Sequence, residues 1–337
     1  MARPKKSEGQ QSNLQDTLAA LNKKYNLSDS QQRTFISTGS IGLDKALGGG
    51  VITGRITELI AWEGVGKTTV SLHIVANAQK QGLKVAYIDS EHALDETYAR
   101  ALGVDWDELI LIQPSFGEEA FEIGEELLKT GEVDVLIFDS TSGMFPKAQF
   151  EGDPGSSYIG KHAMLFSKEV PKINVLASKY NAVVIFISQL REKIGVMYGS
   201  PEITQAGNTL KFFASNRIEL RKKLIYEGDV VVGQTTKFKV IKCKTHKPYG
   251  VGEFKIEFGK GIDKIGEIID ILQDLDIIKK WGKTITVFSK QEGEPDEKLE
   301  YDEFYKRLET DSEYYSHFRN LVLELYEPKK EITYEHQ

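Results

Sequence analysis

Short apolar runs alternate with longer amphipathic stretches along most of this chain, and the two periods separate its elements. Apolar runs at 56–61, 84–89, 133–139, 182–189 and 217–220 predict strands. Stretches 70–81 and 116–128 repeat their apolar positions at helical spacing and predict helices between them. Val135-Leu136-Ile137-Phe138 and Val183-Val184-Ile185-Phe186-Ile187 are apolar at every position, as parallel strands covered on both faces are. The alternation runs from about Thr34 to Gly259 and predicts an α/β core, a central and mostly parallel sheet flanked by helices. Residues 235–245 and 252–258 read as a later antiparallel pair. Beyond Gly261, helical patterns and a short strand at 284–289 predict a small α+β domain. At the other end, Leu14, Leu18 and Leu21 form a narrow apolar stripe on a short helix, and a polar stretch from Asn26 to Arg33 follows. The expected division is an N-terminal helical arm at 1–33, a core at 34–260 and a C-terminal domain at 261–337. A stripe that narrow suits either a partner subunit or the chain's own core.

The chain has 337 residues and a net charge of −7, which argues against a general affinity for nucleic acid. The distribution changes that picture. From Gly261 onward there are 19 acids and 11 bases, whereas the rest carries 31 acids and 32 bases. Any DNA site would therefore be local and lie outside the acidic C-terminal segment. Residues 1–10 are polar and basic, and no apolar run is long enough to span a membrane, so neither export nor membrane insertion is expected. Cys243 is the only cysteine, which excludes an intrachain disulfide and a cysteine-based zinc site. The six histidines are scattered without metal-ligand spacing. A reducing cytoplasm is the expected compartment.

The chemistry begins at Ala61-Trp62-Glu63-Gly64-Val65-Gly66-Lys67-Thr68-Thr69, between a predicted strand and a predicted helix. It fits the phosphate-loop pattern, with Ala61 in place of the first glycine. Backbone N–H groups from Gly64 to Thr68 can wrap a β-phosphate at a helix N-terminus. Lys67 is placed to reach the β- and γ-phosphates, and Thr68 to offer its hydroxyl to Mg2+. Glu63 to Thr69 is thus the expected nucleotide-contact segment; the bland alternative is a chance Gly-Lys-Thr turn. Asp139 ends the apolar strand 133–139, at the edge where α/β sheets bind ligands, and would join Thr68 at Mg2+. A strand-end Asp that merely starts a turn reads the same locally. Glu91 follows the strand 84–89 and could activate a water, or simply cap or pair at the surface.

Several of these segments, in this order, carry a resemblance. Phe35-Ile-Ser-Thr-Gly-Ser-Ile-Gly-Leu-Asp44, the phosphate loop, Ile88-Asp-Ser-Glu-His-Ala-Leu-Asp95, Tyr98-Ala-Arg100, 133–140, Pro146-Lys-Ala148, Lys193-Ile-Gly-Val-Met-Tyr-Gly199 and Lys211-Phe-Phe-Ala-Ser215 resemble the bacterial RecA recombinase family, phage-borne relatives included. The similarity runs from about Thr34 to Glu267. It implies a P-loop NTPase core of RecA type, with the arm docking on the next subunit and the C-terminal domain meeting duplex DNA. It further implies that Tyr98 stacks on adenine and Asp95 reaches the base edge; the bland alternative for Tyr98 is a helix core residue. Glu91 resembles the catalytic glutamate, and Gln189 the sensor of the γ-phosphate; by itself Gln189 is an ordinary polar strand end. Lys242 and Lys244, at i and i+2 on one strand face, resemble lysines that reach a neighbour's γ-phosphate across the filament interface. Without the resemblance they form a solvated basic strand.

Two glycine-rich segments, 151–160 and 191–208, read as long loops that are either functional or simply irregular. The resemblance makes them the single-strand DNA loops. Arg191 and Lys193 would neutralise phosphates, Gly207 and Asn208 would offer backbone and amide contacts, and Ile159 and Ile194 would wedge between bases. The chain departs from the family where Met164 and Pro171 replace DNA-contacting arginines, where Ala206 replaces a glycine, and where Pro154 stiffens the first loop. Lys161, Lys168 and Lys172 could restore the missing charge. The implied function is a DNA-dependent ATPase, using ATP and Mg2+, that forms helical filaments on single-stranded DNA and exchanges strands with a homologous duplex. A passive single-strand-binding scaffold and a ring-shaped DNA motor are the competing readings.

Overall fold

The structure, a computed structural model, describes residues 14–21, 33–152, 159–192, 202–204, 207–288 and 296–330. It divides into two contact units, Met1–Thr34 and Phe35–Gln337. In the first, residues 14–21 form helix α1, which carries Leu14, Leu18 and Leu21.

The second unit opens with β1 (Phe35–Ile36) and β2 (Val51–Ile52), an antiparallel pair around α2 (Ile41–Leu47). There follow β3 (Arg55–Ala61), α3 (Lys67–Gln79), β4 (Val85–Asp89), α4 (Glu96–Ala101), β5 (Ile110–Ile112), α5 (Gly117–Thr130), β6 (Val135–Asp139), α6 (Lys147–Phe150), α7 (Ile159–Lys179), β7 (Val183–Glu192), β8 (Glu202–Thr204), α8 (Gly207–Phe213), β9 (Asn216–Glu227), β10 (Val230–Cys243), β11 (Gly250–Glu257) and β12 (Gly261–Ile262). The C-terminal part adds α9 (Lys264–Asp274), β13 (Ile278–Trp281), β14 (Thr284–Val287), β15 (Glu297–Glu300), α10 (Tyr301–Thr310), α11 (Ser312–Leu325) and β16 (Lys329–Lys330). The main sheet runs β12-β11-β10-β9-β3-β7-β6-β4-β5, with β16 on β11 and β8 on β7. From β9 to β5 its neighbours are parallel, and from β9 to β12 they are antiparallel.

The apolar runs place the sheet between two cores because successive strand residues face opposite ways. Val135, Ile137, Val183, Ile185 and Ile187 join the core beneath α2 and α3. Leu136, Phe138, Val184 and Phe186 join the other core, under α5, α7 and α8. There Phe138 and Phe186 stack at 4.6 Å, and α5 crosses Phe138 at Gly124, where a Cβ would lie 2.8 Å from the ring. A charged residue also lies within these strands. Glu58, fully buried in β3, accepts from Arg217 Nε of β9 (2.6 Å) and Ser188 Oγ of β7 (2.8 Å), tying the two strands that flank β3. A buried carboxylate needs such partners.

The C-terminal part keeps its own cluster, with Ile268, Leu272, Ile278, Ile285, Phe304 and Phe318 at its centre. Glu267 joins it to α2: its carboxyl accepts from Ser40 Oγ (2.5 Å), Ile41 N (3.0 Å) and Gly42 N (3.0 Å), so it caps that helix. Lys45 Nζ donates to the Leu323 carbonyl (2.8 Å).

Three local expectations change. The strand expected at 217–220 extends to Glu227 as half of a long hairpin with β10, whose outer rungs rest on ladder bonds and need no apolar run. Arg191 is not in a loop: β7 continues through Glu192, and β8 folds back onto it with Arg191 opposite Ile203. Ile159 and Lys161 lie in the first turn of α7, and Gly207 and Asn208 open α8. Lys193 and Ile194 lie outside the described residues.

Candidate active site and nucleic-acid interface

β3 delivers Ala61 to the edge of the sheet, paired with Gln189 on one side and Leu220 on the other. A strand position asks for no left-handed backbone, which is why alanine serves there in place of glycine. The glycines that the loop does require are Gly64 (φ +65°) and Gly66 (φ +103°). A Cβ on Gly66 would also come within 2.5 Å of Ile256 Cδ1. The loop then opens α3 at Lys67, whose first N–H groups have no intrahelical acceptors.

Lys67 Nζ donates to the carbonyl of Trp62 (2.9 Å). Burial pushes this ammonium down from its ordinary value, while Asp139, Glu91 and Glu63 pull it back up. Thr68 Oγ1 donates to Asp139 Oδ2 (3.0 Å), and the buried Tyr87 hydroxyl donates to the same oxygen (2.6 Å). Burial pushes the Asp139 carboxyl up to about 6, against the pull of these two donors. A hydroxyl beside a carboxylate whose charge is short of compensation is a fitting pair of oxygen donors for Mg2+, with phosphate oxygens and water supplying the rest. Among the described residues no group of three or more His, Cys, Asp or Glu could hold a metal ion on its own.

Glu91 stands beyond β4 on a turn organised by Asp89, which accepts from Glu91 N (3.2 Å), Leu94 N (3.1 Å) and Gln113 Nε2 (3.0 Å). Two donors meet on Glu91 Oε1: the Ser140 hydroxyl, and Gln189 Nε2 at 2.7 Å. The carboxylate after β4, the serine after β6 and the amide of β7 thus converge at one edge of the sheet, the edge from which the phosphate loop also leaves.

A cavity of about 310 Å3 joins these groups. Of the residues singled out in the sequence, Glu63, Gly64, Gly66, Lys67, Thr68, Thr69, Glu91, Tyr98, Asp139 and Gln189 line it, together with Gln234, Ile256, Phe258 and Gly259, which the sequence did not single out. The last four come from β10, β11 and the turn after β11, and nothing local in the sequence marks them. Val65 does not line the cavity; its side chain is buried in the core. Tyr98 shares a hydrogen bond with Thr69 Oγ1 (2.9 Å). Asp95 is exposed and outside the lining: it caps α4 by accepting from Tyr98 N (2.6 Å), and so fixes the helix that presents Tyr98.

The expected lysine pair is not a simple i, i+2 strand face. A bulge between Val240 and Lys242 shifts the register, and Lys244 lies past the end of β10, its N–H on the Ser215 carbonyl (3.0 Å). Lys242 Nζ donates to the carbonyls of Lys211 (2.7 Å) and Phe212 (3.0 Å), at the C-terminal end of α8. Neither lysine lines this chain's own cavity.

On the expected DNA side, Lys161, Arg191 and Asn208 are exposed. Gln189 lies two residues before Arg191 on the same strand, so one rigid element runs from the cavity to the basic side chain. Lys172 does not fit the expectation, because it pairs with Glu125 (3.2 Å) and with Glu169. Its charge is already compensated, by Glu169 one helical turn before it and by Glu125, which only the fold brings near. No helix among the described residues is long and apolar enough to cross a membrane.

A parallel sheet with a phosphate loop after one strand, and a carboxylate at the end of each of two others, defines a P-loop ATPase core. A family model of the RecA N-terminal domain matches residues 15–263. The chain is 50% identical over 249 residues to Protein RecA of Clostridioides difficile (strain 630), which covers 73% of this chain and 72% of that relative. It is 48% identical over 261 residues to Protein RecA of Paramagnetospirillum magneticum, covering 77% and 73%. It is 50% identical over 251 residues to Protein RecA of Porphyromonas gingivalis, covering 74% of each chain. The chain belongs to the RecA family. It is a recombinase of that family, with DNA-dependent ATPase and strand-exchange activity.

Proposed function

We propose that the chain binds ATP with Mg2+ at the phosphate loop, assembles into a helical filament on single-stranded DNA, and exchanges that strand with a homologous duplex in the cytoplasm. In this reading Lys67 and the N–H groups from Gly64 to Thr68 take the β- and γ-phosphates, and Tyr98 packs on the adenine from a helix set by Asp95. Thr68 and Asp139 hold the metal ion, whose charge offsets that of the phosphates. Glu91 takes a proton from the water that attacks the γ-phosphorus, as the bond to the β-phosphate oxygen breaks to leave ADP and phosphate. Lys242 and Lys244 act on the nucleotide of a neighbouring protomer, which makes turnover depend on the filament. Ile159, Lys161, Arg191, Lys193, Ile194, Gly207 and Asn208 contact the strand; Lys172 is left out because its ion pairs occupy it. Residues 1–33 serve assembly, 34–260 the ATPase and DNA sites, and 261–337 the encounter with duplex.

One observation carries the proposal: Gln189 donates to Glu91 and continues directly into the strand bearing Arg191. An amide that can leave the glutamate for an arriving γ-phosphate ties nucleotide state to the DNA side. The test is strand exchange between a labelled oligonucleotide and a homologous duplex, followed by fluorescence transfer. Exchange that requires ATP, Mg2+ and homology supports the proposal; a strand held but never exchanged would leave only a scaffold.

A further inference from the structure

The carbonyls of the phosphate loop are held from outside by the hairpin β9–β10. Lys222 Nζ donates to the Gly64 carbonyl (3.0 Å). Gln234 Nε2 donates to the Val65 carbonyl (2.7 Å), and Thr236 Oγ1 reaches the same oxygen at 3.3 Å. A trans peptide is planar, with its C=O and N–H pointing opposite ways. A Val65 carbonyl pinned toward β10 therefore turns the Gly66 N–H away from β10. A Gly64 carbonyl pinned by Lys222 orients the Val65 N–H in the same manner. Among the described residues neither of these N–H groups has a protein acceptor, so both remain donors for an anion.

Gln234 is well suited to this task. It is 3% exposed, and its amide nitrogen is fixed by a second bond, to Thr236 Oγ1 at 3.1 Å. The loop lies close against it, since a Cβ on Gly66 would sit 3.3 Å from that nitrogen. The Val65–Gly66 peptide ends on a glycine with positive φ (+103°), so it meets less steric resistance to rotation than a peptide between two residues with side chains.

We infer that Gln234 is a positioning residue for nucleotide binding, which braces the Val65–Gly66 peptide so that its N–H faces the phosphate seat; Thr236 assists it, and Lys222 braces the preceding peptide. The inference rests on the nucleotide reading of the loop.

The full-length chain tests it through the variants Gln234→Met, Gln234→Glu, Thr236→Val and Lys67→Ala. Binding of ADP and of inorganic pyrophosphate, the KM and kcat for ATP, and the nucleotide-free thermal midpoint are measured for each. Gln234→Met keeps length and shape but removes the donor, and lowers ADP and pyrophosphate affinity by about tenfold. Gln234→Glu turns an acceptor toward the Val65 carbonyl and lowers affinity further, by about a hundredfold. In both, KM rises by more than kcat falls. A role in packing alone predicts that Gln234→Met behaves as wild type, so ADP affinity within twofold of wild type in that variant overturns the inference. Should the Gln234 variants fail to fold, Thr236→Val decides: a severalfold loss of affinity at an unchanged midpoint supports the brace, and none refutes it. If Lys67→Ala still binds ADP normally, the nucleotide reading itself fails. If Lys67→Ala loses binding and Gln234→Met does not, only the brace fails.

Discussion

Replacing Glu267 with alanine removes the carboxyl that caps α2 and joins the C-terminal part to the core. The Gly42 N–H is buried and the Ile41 N–H partly so, and both lose their acceptor. Each unmatched donor costs about 1–3 kcal/mol, which puts the loss at roughly 2–6 kcal/mol where the carboxyl is neutral in the folded and unfolded chain alike. The effect depends on pH because burial, reinforced by Asp44, pushes Glu267 up from 4.5 to about 8 against the pull of Ser40, Gly42 and Ile41. A carboxyl raised on folding keeps its proton in the native state after the unfolded chain has released it. Its stabilising contribution is therefore complete below about pH 4.5 and declines as pH rises toward 8, by at most about 1.4 kcal/mol per pH unit. Urea unfolding of the nucleotide-free protein, followed by far-ultraviolet circular dichroism at pH 5.5, 7 and 8.5, measures this directly. Glu267→Ala should be clearly less stable than wild type at pH 5.5, and the gap should narrow as pH rises. Equal stability at pH 5.5, or a gap that widens with pH, would refute the assignment of a buried, proton-holding cap.

Lys67→Ala should reduce ATP affinity by more than a hundredfold, read by displacement of a fluorescent nucleotide, because both the charge and the contact to the terminal phosphates are lost. Glu91→Gln should still form filaments on single-stranded DNA but lower kcat by about 10^2–10^4, read in a phosphate-release assay; unchanged turnover would remove Glu91 from the chemistry. Alanine at both Lys242 and Lys244 should leave ADP affinity near wild type while abolishing DNA-stimulated turnover, since neither lysine lines the cavity of its own chain. A mixed filament in which these variants are diluted by wild-type protomers should recover turnover in proportion.

What the sequence made legible was whatever is local. The phosphate loop, Asp139 and Glu91 each sit at the end of an apolar run, and a run covered on two faces needs no distant partner to be recognised. Gln234 braces a carbonyl 169 residues away, and no periodicity along β10 marks it. Ile256 and Phe258 likewise reach the cavity only through the antiparallel register of β10 and β11. Of the two partners of Lys172, Glu169 is one helical turn away and legible, whereas Glu125 on α5 is 47 residues distant and is not. Glu58 was hidden in an apolar strand, and only its neighbours in the sheet supply the guanidinium and hydroxyl that let it stay there. Lys242 and Lys244 lost their simple alternation because β10 ends at Cys243 between them, a strand end that depends on the pairing with β9.

ATP hydrolysis measured with and without single-stranded DNA, on samples imaged in parallel by negative-stain electron microscopy, tests the central claim most directly. Coupling between the terminal phosphate and the bound strand predicts slow turnover alone, strong stimulation by DNA, and helical filaments whenever ATP, Mg2+ and DNA are all present. Turnover indifferent to DNA, or a protein that stays monomeric under those conditions, would contradict it.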